Sequence, residues 1–288
     1  MPPPAAVAAA FATLYVVWGS TYLAIRFALE TLPPFALAGA RFLLAGGLLY
    51  GPVRALRAAR PARVHWRTAA VVGGLFLVGG IGTTTWAIQR VPSGVAALLV
   101  ATLPVWMVVL DAARTRTRPT AAVAVGVALG LAGIGVLVGP GALGEPVDPV
   151  GAFAVVAATL SWAAGSVYQR GAEVAPHPLL NVAMQMLVGG VALVALSAAV
   201  GERPAFADAS LRSALALAYL VAFGSLAGYS ASVWLLDVST PARVSTYAYV
   251  NPVIAVLLGW WLAGEPLDGR VGLAAAAVVA AVALMTRR

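Results

Sequence analysis

Arg41 lies alone in a long apolar run, which makes it the first candidate for chemistry in this sequence. It follows Pro34 by seven residues, and no acid shares its run. The acids nearest to apolar runs all lie at run ends: Glu30, Asp111, Asp237 and Glu265. A guanidinium in apolar surroundings pairs well with a carboxylate, because its planar N–H groups match two carboxylate oxygens. Arg41 is therefore predicted either to bind a substrate carboxylate or to be structural, reaching toward a surface or binding helix carbonyls.

Aromatic, hydroxyl and amide side chains occur in several other apolar runs. Such groups suit an amphipathic small molecule whose ring or alkyl part is removed from water. Trp86 and Trp234 lie near run ends, where tryptophan equally serves as a membrane-surface anchor. Tyr247 and Tyr249 cannot share a helix face, and the sequence leaves open which one faces a cavity. The candidate substrate-binding residues are Trp18, Tyr22, Arg41, Thr84, Trp86, Trp106, Trp162, Tyr168, Gln185, Tyr229, Trp234, Tyr247, Tyr249 and Asn251.

Catalytic and metal-binding constellations are missing from the sequence. The chain has no cysteine and only two histidines, His65 and His177, both in predicted loops. Its apolar runs contain no paired acids, no Ser/His dyad and no His/Asp cluster, which intramembrane enzymes require. The sequence therefore predicts a protein that is not an enzyme and that uses no metal and no cofactor.

The composition requires a lipid bilayer around most of the chain. Of the 288 residues, 61% are hydrophobic and only 10% are charged, whereas soluble domains carry about 25% charged residues. One helix of about 20 apolar residues crosses the hydrocarbon core of a bilayer. The predicted fold class is all-α integral membrane with ten transmembrane helices, at 5–25, 34–50, 68–88, 93–110, 121–139, 150–168, 179–200, 213–236, 244–263 and 271–285.

Membrane topology explains the net charge of +8. All eighteen basic residues are arginines, and twelve of them fall in loops or tails on one side of the predicted membrane. By the positive-inside rule this side is cytoplasmic, which places both termini there. No nucleic-acid partner is needed to explain the charge. The sequence does not fix the oligomeric state, and a monomer is compatible with it.

The two halves of the chain resemble each other, which divides one membrane domain into a first five-helix repeat, 1–140, and a second, 149–288. The run Gly19-Ser20-Thr21-Tyr22 recurs as Gly165-Ser166-Val167-Tyr168, and Arg41 matches Gln185. Because five is odd, the second repeat crosses the membrane in the opposite direction. Inverted repeats are typical of transporters, whose halves exchange conformations around a central site. Pro104 and Pro252 occupy matching helices, where paired kinks would make them either hinges or sources of fixed curvature around a cavity.

Together these features resemble the drug/metabolite transporter superfamily. The resemblance rests on ten spans in two copies and on the W-G-S-T-Y run at 18–22. The A-R-F-L-L-A-G stretch around Arg41 and the L-A-G-E-P-L run around Glu265 are similar to its EamA branch. The resemblance implies export of small metabolites, including amino acids, across the bacterial inner membrane, and some members export aromatic amino acids. An arginine at this place is common to the family across chemically different substrates, which favours a structural role for Arg41.

The expected function is export of small amphipathic metabolites by alternating access, above all of amino acids, including aromatic and hydrophobic ones. The alternatives are a multidrug or other hydrophobic-metabolite exporter and an importer of a small metabolite, since the sequence does not set the net direction. Proton-driven carriers usually keep an acid or a histidine within the membrane. The predicted spans contain neither in their interiors, which predicts facilitated diffusion or exchange.

Overall fold

Helices form the fold in the computed structural model, which describes residues 2–56, 60–91, 93–138, 148–263 and 269–286. Each predicted span corresponds to one helix, and the described residues contain no strand, so the all-α fold class is confirmed. Eight helices are long and apolar enough to cross a membrane, and α5 is a shorter apolar helix. The helices are α1 (Pro4–Ala28), α2 (Pro34–Ala55), α3 (Arg63–Ala87), α4 (Ser93–Val100 and Leu103–Thr115), α5 (Ala121–Val138), α6 (Pro149–Gln169), α7 (Pro178–Ala199), α8 (Leu211–Val238), α9 (Pro241–Val244 and Tyr247–Ala263) and α10 (Gly269–Thr286).

Some positions used in the sequence interpretation lie outside the described residues. They are Arg57 of the arginine-rich loop, the ends of the fifth predicted span and of the first repeat at 139 and 140, Glu265 in its family-like run, and the two C-terminal arginines at 287–288.

Local sequence signals set where the helices begin. Proline is the first residue of α1, α2, α6 and α7, where its missing N–H is harmless and its φ is already helical. Asp148 caps α6, since its carboxylate accepts a hydrogen bond from the Val150 N–H at 3.0 Å. Glu202 accepts hydrogen bonds from the N–H groups of Phe35 and Ala36 at 3.1 and 2.8 Å. This contact fixes the first turn of α2, the helix that carries the buried arginine.

The helices pack in pairs that relate the two repeats. α1 packs on α8 and α9, and α6 packs on the matching helices α3 and α4. α2 packs along α7, and α5 packs along α10. Small residues allow the close approach of α2 and α7: a Cβ atom on Gly190 would lie 2.9 Å from the backbone nitrogen of Leu43. Each repeat is therefore stabilised by the other.

Two helices contain π-helical segments at matching places in the repeats. These segments are Gly74–Gly82 in α3 and Leu220–Tyr229 in α8. They begin 146 residues apart, at the same offset as the repeated Gly-Ser runs of α1 and α6. Because π-helical turns occur mostly at functional sites, the two segments mark the part of each repeat to examine.

The two proline-containing helices differ in where they break. α4 is interrupted at 101–102, and Pro104 is the second residue of its second part. α9 is interrupted at 245–246, and Pro252 lies inside its longer part. Contrary to the expectation, Pro104 therefore does not lie in a helix interior. A proline in the first turn of a helix removes no hydrogen bond, so Pro104 restarts a helix instead of bending one. The hinge role of both prolines stays a prediction.

One end of the helix bundle carries most of the arginines and is called the basic face below. There α2, α4, α6 and α8 end, and α3 and α9 begin. Two ion pairs connect helices at the opposite face: Arg212 with Glu30 at 3.0 Å and Arg90 with Asp148 at 3.5 Å. The described arginines of the basic face are Arg54, Arg60, Arg63, Arg67, Arg114, Arg116, Arg118, Arg170 and Arg243.

Candidate functional site

A cavity between the two repeats, here called the central cavity, is lined by α1, α2, α3, α4, α6 and α9. Its free space is about 110 Å³. One water molecule needs about 10–15 Å³ by the same measure, so a small metabolite fits. The cavity reaches Ile25 and Ile88, near the ends of α1 and α3, and so extends toward the face opposite the basic face. The lining residues are Trp18, Thr21, Tyr22, Ile25, Arg41, Gly80, Ile81, Thr84, Thr85, Ile88, Val100, Leu103, Ala158, Thr159, Trp162, Tyr247 and Asn251.

Arg41 provides the charge of this cavity. The residue is only 4% exposed, so its side chain does not reach the protein surface. Its Nε donates a hydrogen bond to Ser225 Oγ at 2.7 Å, in the π-helical segment of α8, and its guanidinium carbon lies 4.9 Å from the Phe42 ring centre. In the part of the chain that the structure describes, no acidic side chain forms an ion pair with Arg41. The guanidinium therefore brings a positive charge to the cavity that no carboxylate of these residues balances.

Five aromatic rings in contact, here called the aromatic cluster, bound the central cavity on the side of the basic face. They are Trp18, Phe76, Trp162, Tyr229 and Tyr247. Trp18 contacts Trp162 edge to face, with ring centres 5.4 Å apart, and Tyr247 at 4.8 Å. Phe76 stacks on Trp162 at 4.4 Å, and the Tyr229 ring lies 6.0 and 6.3 Å from the Phe76 and Trp162 rings. Such packing closes the cavity toward the basic face with well-ordered apolar surface.

Glycines in the π-helical segments make room for the two indoles. A Cβ atom on Gly80 of α3 would lie 2.9 Å from the Trp162 ring. A Cβ atom on Gly228 of α8 would collide with the Trp18 indole nitrogen. Because real Cβ atoms do not approach other heavy atoms so closely, both indoles depend on these glycines for their positions.

Each π-helical segment also accepts a hydrogen bond from a helix of the other repeat. The Trp18 indole nitrogen donates to the backbone oxygen of Gly224 at 3.1 Å. Ser161 Oγ donates to the backbone oxygen of Leu75 at 2.8 Å. These bonds cross between the repeats beside the cavity, and they fix α1 on α8 and α6 on α3.

Hydroxyl and amide oxygens provide hydrogen-bond acceptors around the cavity. Thr21, Thr85 and Thr159 each donate to a backbone oxygen of their own helix at 2.7–2.8 Å. With its amide oriented by the hydrogen-bond network, Asn251 donates to two backbone oxygens at 3.1 Å. The hydroxyl oxygens and the amide oxygen keep lone pairs with which they can accept hydrogen bonds from a ligand.

The structure brings half of the predicted binding residues to the central cavity. They come from five helices, three of the first repeat and two of the second, and their part in binding stays a prediction. They are Trp18, Tyr22, Arg41, Thr84, Trp162, Tyr247 and Asn251.

Four other predicted residues lie away from the central cavity. Trp86 lies beneath Arg90, whose guanidinium carbon is 4.5 Å from the indole ring centre. Trp106 and Trp234 are partly buried against the core, and the indole nitrogen of Trp106 has no hydrogen-bond partner among the described residues. Tyr168 lies at the basic face in a second opening.

The remaining three predicted residues are fully buried in the packing around the cavity. Tyr229 donates a hydrogen bond to Gln185 Oε1 at 2.7 Å, and Gln185 Nε2 donates to Gln169 Oε1 at 3.0 Å. The Tyr249 hydroxyl donates to the backbone oxygen of Val127 in α5 at 3.1 Å. Of the two α9 tyrosines, Tyr247 therefore faces the cavity and Tyr249 packs on the peripheral helix.

Sequence reasoning missed several residues that shape the cavity. Thr21 and Thr159 line it, Ser225 fixes Arg41, and Phe76 belongs to the aromatic cluster. Thr21 lies three residues after Trp18 and thus on the same helix face, a signal that was present in the sequence. Phe76 offers no such signal, because any phenylalanine in an apolar helix has the same pattern.

The second opening is called the basic-face cleft. It lies between α3, α4 and α6 and has about 610 Å³ of free space. Along α3 and α6, Phe76 and Trp162 of the aromatic cluster come between it and the central cavity. The lining residues are Val64, Thr68, Leu110, Arg114, Ala164, Val167, Tyr168, Gly171, Ala172 and Glu173.

Two inverted five-helix repeats with a cavity between them are typical of membrane transporters, whose substrate site lies between the two halves. The model of the EamA-like transporter family matches the chain twice, over residues 5–139 and 149–287. The chain therefore belongs to the EamA-like transporter family, whose members are transporters and not enzymes.

Individual relatives agree with this assignment. The chain is 41% identical over 278 residues to the inner membrane transporter YedA of Escherichia coli strain K12, which covers 95% of this chain and 88% of the relative. It is 27% identical over 271 residues to a probable amino-acid metabolite efflux pump of Salmonella typhimurium, covering 89% of this chain and 88% of that protein. A solved crystal structure with 22% identity superposes with a TM-score of 0.80 and covers 99% of this chain and 97% of that one. The protein is thus a multi-pass transporter of the inner membrane.

Proposed function

We propose that this transporter exports amino acids with aromatic or other apolar side chains. The observation that carries the proposal is the guanidinium of Arg41, which lines an aromatic-walled cavity without a carboxylate partner among the described residues. A substrate that brings its own carboxylate balances this charge. An amino acid does so and also presents an ammonium group and a side chain for the rest of the cavity.

The carboxylate of the substrate binds Arg41. Since Nε is occupied by Ser225 at 2.7 Å, the two Nη atoms remain to donate to the carboxylate oxygens. Burial strengthens this pair, because a charge-assisted hydrogen bond is stronger where little water competes. Each such bond contributes about 1.5–3 kcal/mol in proteins, so removing the guanidinium should weaken binding about tenfold to a hundredfold.

The ammonium group and the side chain of the substrate bind the remaining walls. Hydroxyl oxygens of Thr21, Thr85 and Thr159 accept hydrogen bonds from the ammonium group. The rings of Trp18 and Trp162 provide apolar surface for an alkyl or aromatic side chain, and their π faces attract the ammonium group.

The same walls disfavour organic cations, the substrate class of many multidrug exporters. No acidic residue is among the described residues that line the cavity, whereas Arg41 repels a cation there. Two relatives at lower identity, from Escherichia coli and Salmonella typhimurium, carry the name probable amino-acid metabolite efflux pump, which supports both the amino-acid class and the outward direction.

Orientation and coupling complete the proposal. The basic face is the cytoplasmic one by the positive-inside rule, and both termini lie on that side. The substrate moves down its own gradient or by exchange, because the cavity lining offers arginine, hydroxyl and amide groups but no acid or histidine among the described residues to relay a proton.

Counterflow in proteoliposomes tests the proposal. Vesicles with the purified protein are loaded with one unlabelled amino acid and diluted into the same labelled compound, across a panel of apolar, polar and charged amino acids and organic cations. We expect exchange of phenylalanine and leucine, and a tenfold to hundredfold higher half-saturation concentration for Arg41→Gln. Arg203→Gln, in an exposed loop, is the matched control. Failure of every amino acid to exchange would refute the proposal.

A further inference from the structure

The basic-face cleft and the central cavity are lined by the same face of two equivalent helices. Tyr22 and Ile25 of α1 line the cavity. Tyr168 of α6 and Gly171, just after the end of α6, lie at the same places 146 residues later and line the cleft. The correspondence follows the Gly-Ser runs on which the repeat rests. The α1 face that lines the cavity therefore has an equivalent α6 face in the cleft. Because the first face is expected to contact a ligand, we expect the second to contact one too.

Two opposite charges line the cleft. Arg114, at the end of α4, packs its guanidinium against Gly171, so closely that a Cβ atom at 171 would collide with it. In the described part of the chain, Arg114 forms no hydrogen bond and no ion pair. Glu173, just after α6, has a side chain that is 70% exposed. The cleft thus offers one cation and one anion to a ligand.

His65 lies beside the carboxylate of Glu173 and is held by the backbone of its own helix start. His65 Nδ1 accepts a hydrogen bond from the Ala62 N–H at 3.1 Å. Its Nε2 lies 3.6 Å from Glu173 Oε1. Since the Glu173 side chain is mostly exposed, its carboxylate keeps lone pairs with which it can bind an ammonium group.

We propose that the basic-face cleft is a second binding site, which takes a zwitterionic amino acid before it enters the central cavity. Arg114 binds the carboxylate and Glu173 binds the ammonium group, while the apolar side chain lies on Leu110 and Val167. The substrate class rests on the function proposed above. A simple anion or a lipid phosphate fits less well, because Glu173 repels it.

The two sites are occupied separately. Phe76 and Trp162, stacked at 4.4 Å, lie between them along α3 and α6, and Gly165 allows the Phe76 ring to pack against α6. A Cβ atom on Gly165 would lie 2.8 Å from that ring. The cleft therefore holds a substrate at the basic face while the aromatic cluster is closed, and the cluster must move before the substrate reaches Arg41.

Equilibrium binding of radiolabelled L-phenylalanine to the purified protein tests this site. We expect two molecules bound per chain. Arg114→Gln combined with Glu173→Gln should weaken one of them by about fivefold or more, the effect of losing two exposed charge pairs. Arg41→Gln should weaken the other by about tenfold to a hundredfold. Arg118→Gln, an exposed arginine in the loop that follows α4, should change neither.

Each outcome decides between the two proposals. One bound molecule that is weakened by Arg41→Gln and kept in the Arg114/Glu173 variant overturns the cleft site and leaves the proposed function intact. One bound molecule with the reverse pattern supports the cleft site and overturns the role of Arg41. No binding of L-phenylalanine at all overturns both.

A second variant keeps both charges and changes only their geometry. Gly171→Ala should displace the Arg114 guanidinium and weaken the cleft site alone. Thermal unfolding of the same sample shows whether the variant is folded. A folded Gly171→Ala protein with unchanged binding at the cleft contradicts the assignment of the carboxylate to Arg114.

Discussion

The central cavity and the basic-face cleft present equivalent helix faces with opposite properties. In the cavity, the α1 face carries Thr21 and Tyr22 beside a buried arginine. In the cleft, the α6 face carries Val167 and Tyr168, the latter 43% exposed, beside two charges at the surface. Duplication supplied the same face twice, and the side chains around it then diverged. The cavity is aromatic and positively charged, whereas the cleft is open and has one charge of each sign.

This difference fits a carrier in one of its two conformations. The cavity extends toward the face opposite the basic face, and the aromatic cluster closes it on the other side. In the alternating-access cycle proposed for this transporter, the cluster opens toward the cleft. The π-helical segments of α3 and α8 adjoin the cluster, and the hydrogen bonds of Ser161 and Trp18 hold them to the other repeat. In the proposed cycle, these contacts rearrange when the cluster opens.

The largest effect is expected from truncating Phe76, a ring of the aromatic cluster that lies between the cavity and the cleft. Phe76 is fully buried and stacks on Trp162, so Phe76→Ala should lower the free energy of unfolding by about 3–5 kcal/mol. Phe153→Ala, at a 74% exposed side chain of α6, should change it by less than about 0.5 kcal/mol. Thermal unfolding of both purified variants measures the difference, and equal stability would show that Phe76 is not part of a closed layer.

A smaller loss of stability is expected from a substitution at Gly80, which lines the cavity beside Trp162. Gly80→Ala places a methyl group 2.9 Å from the Trp162 ring and should destabilise the protein by about 1–3 kcal/mol through overpacking. Gly74→Ala is the matched control in the same π-helical segment, because a Cβ atom there meets nothing within 4 Å. It should be neutral or stabilising by up to about 1 kcal/mol. Thermal unfolding and phenylalanine counterflow report both effects, and indistinguishable variants would remove the role assigned to Gly80.

The smallest effects are expected at Tyr22 and Tyr168, the tyrosines at equivalent positions of the cavity and the cleft. Among the described residues, neither Tyr22 nor Tyr168 donates its hydroxyl to a protein group, so Tyr→Phe at either place should leave stability unchanged. If the hydroxyl binds substrate, its loss weakens that site by about two- to tenfold. Tyr22→Phe should affect only the central site and Tyr168→Phe only the cleft, in the phenylalanine binding measurement. A change at both sites from either substitution would show that the two regions are one site.

Much of the fold could be predicted from the sequence, because a chain within lipid must form its backbone hydrogen bonds internally. Apolar runs of about 20 residues must form helices, so all ten spans were predictable. The buried arginine was also conspicuous, since no other charged residue occupies a span interior. The recurrence of the Gly-Ser run at 19–20 and 165–166 predicted the relation between α1 and α6 that the cavity and the cleft now show.

Other features depend on packing that no single residue type reveals. The π-helical turns of α3 and α8 lie against indoles that are far away in sequence. Tyr247 faces the cavity and Tyr249 faces α5 because α9 restarts at 247, a break that its sequence does not mark. Pro104 and Pro252 look alike in the sequence, yet one restarts a helix and the other lies inside one. Such differences arise from contacts between the repeats, which pattern reasoning within one helix does not contain.

The central claim is that the cavity recognises a carboxylate through Arg41. Counterflow by the reconstituted wild-type protein of L-phenylalanine, compared with 2-phenylethylamine, which lacks only the carboxylate, tests it most directly. We predict rapid exchange of phenylalanine and an apparent affinity for the amine that is at least about tenfold lower, the effect of one charge-assisted hydrogen bond. Equal or better exchange of the amine would contradict the account.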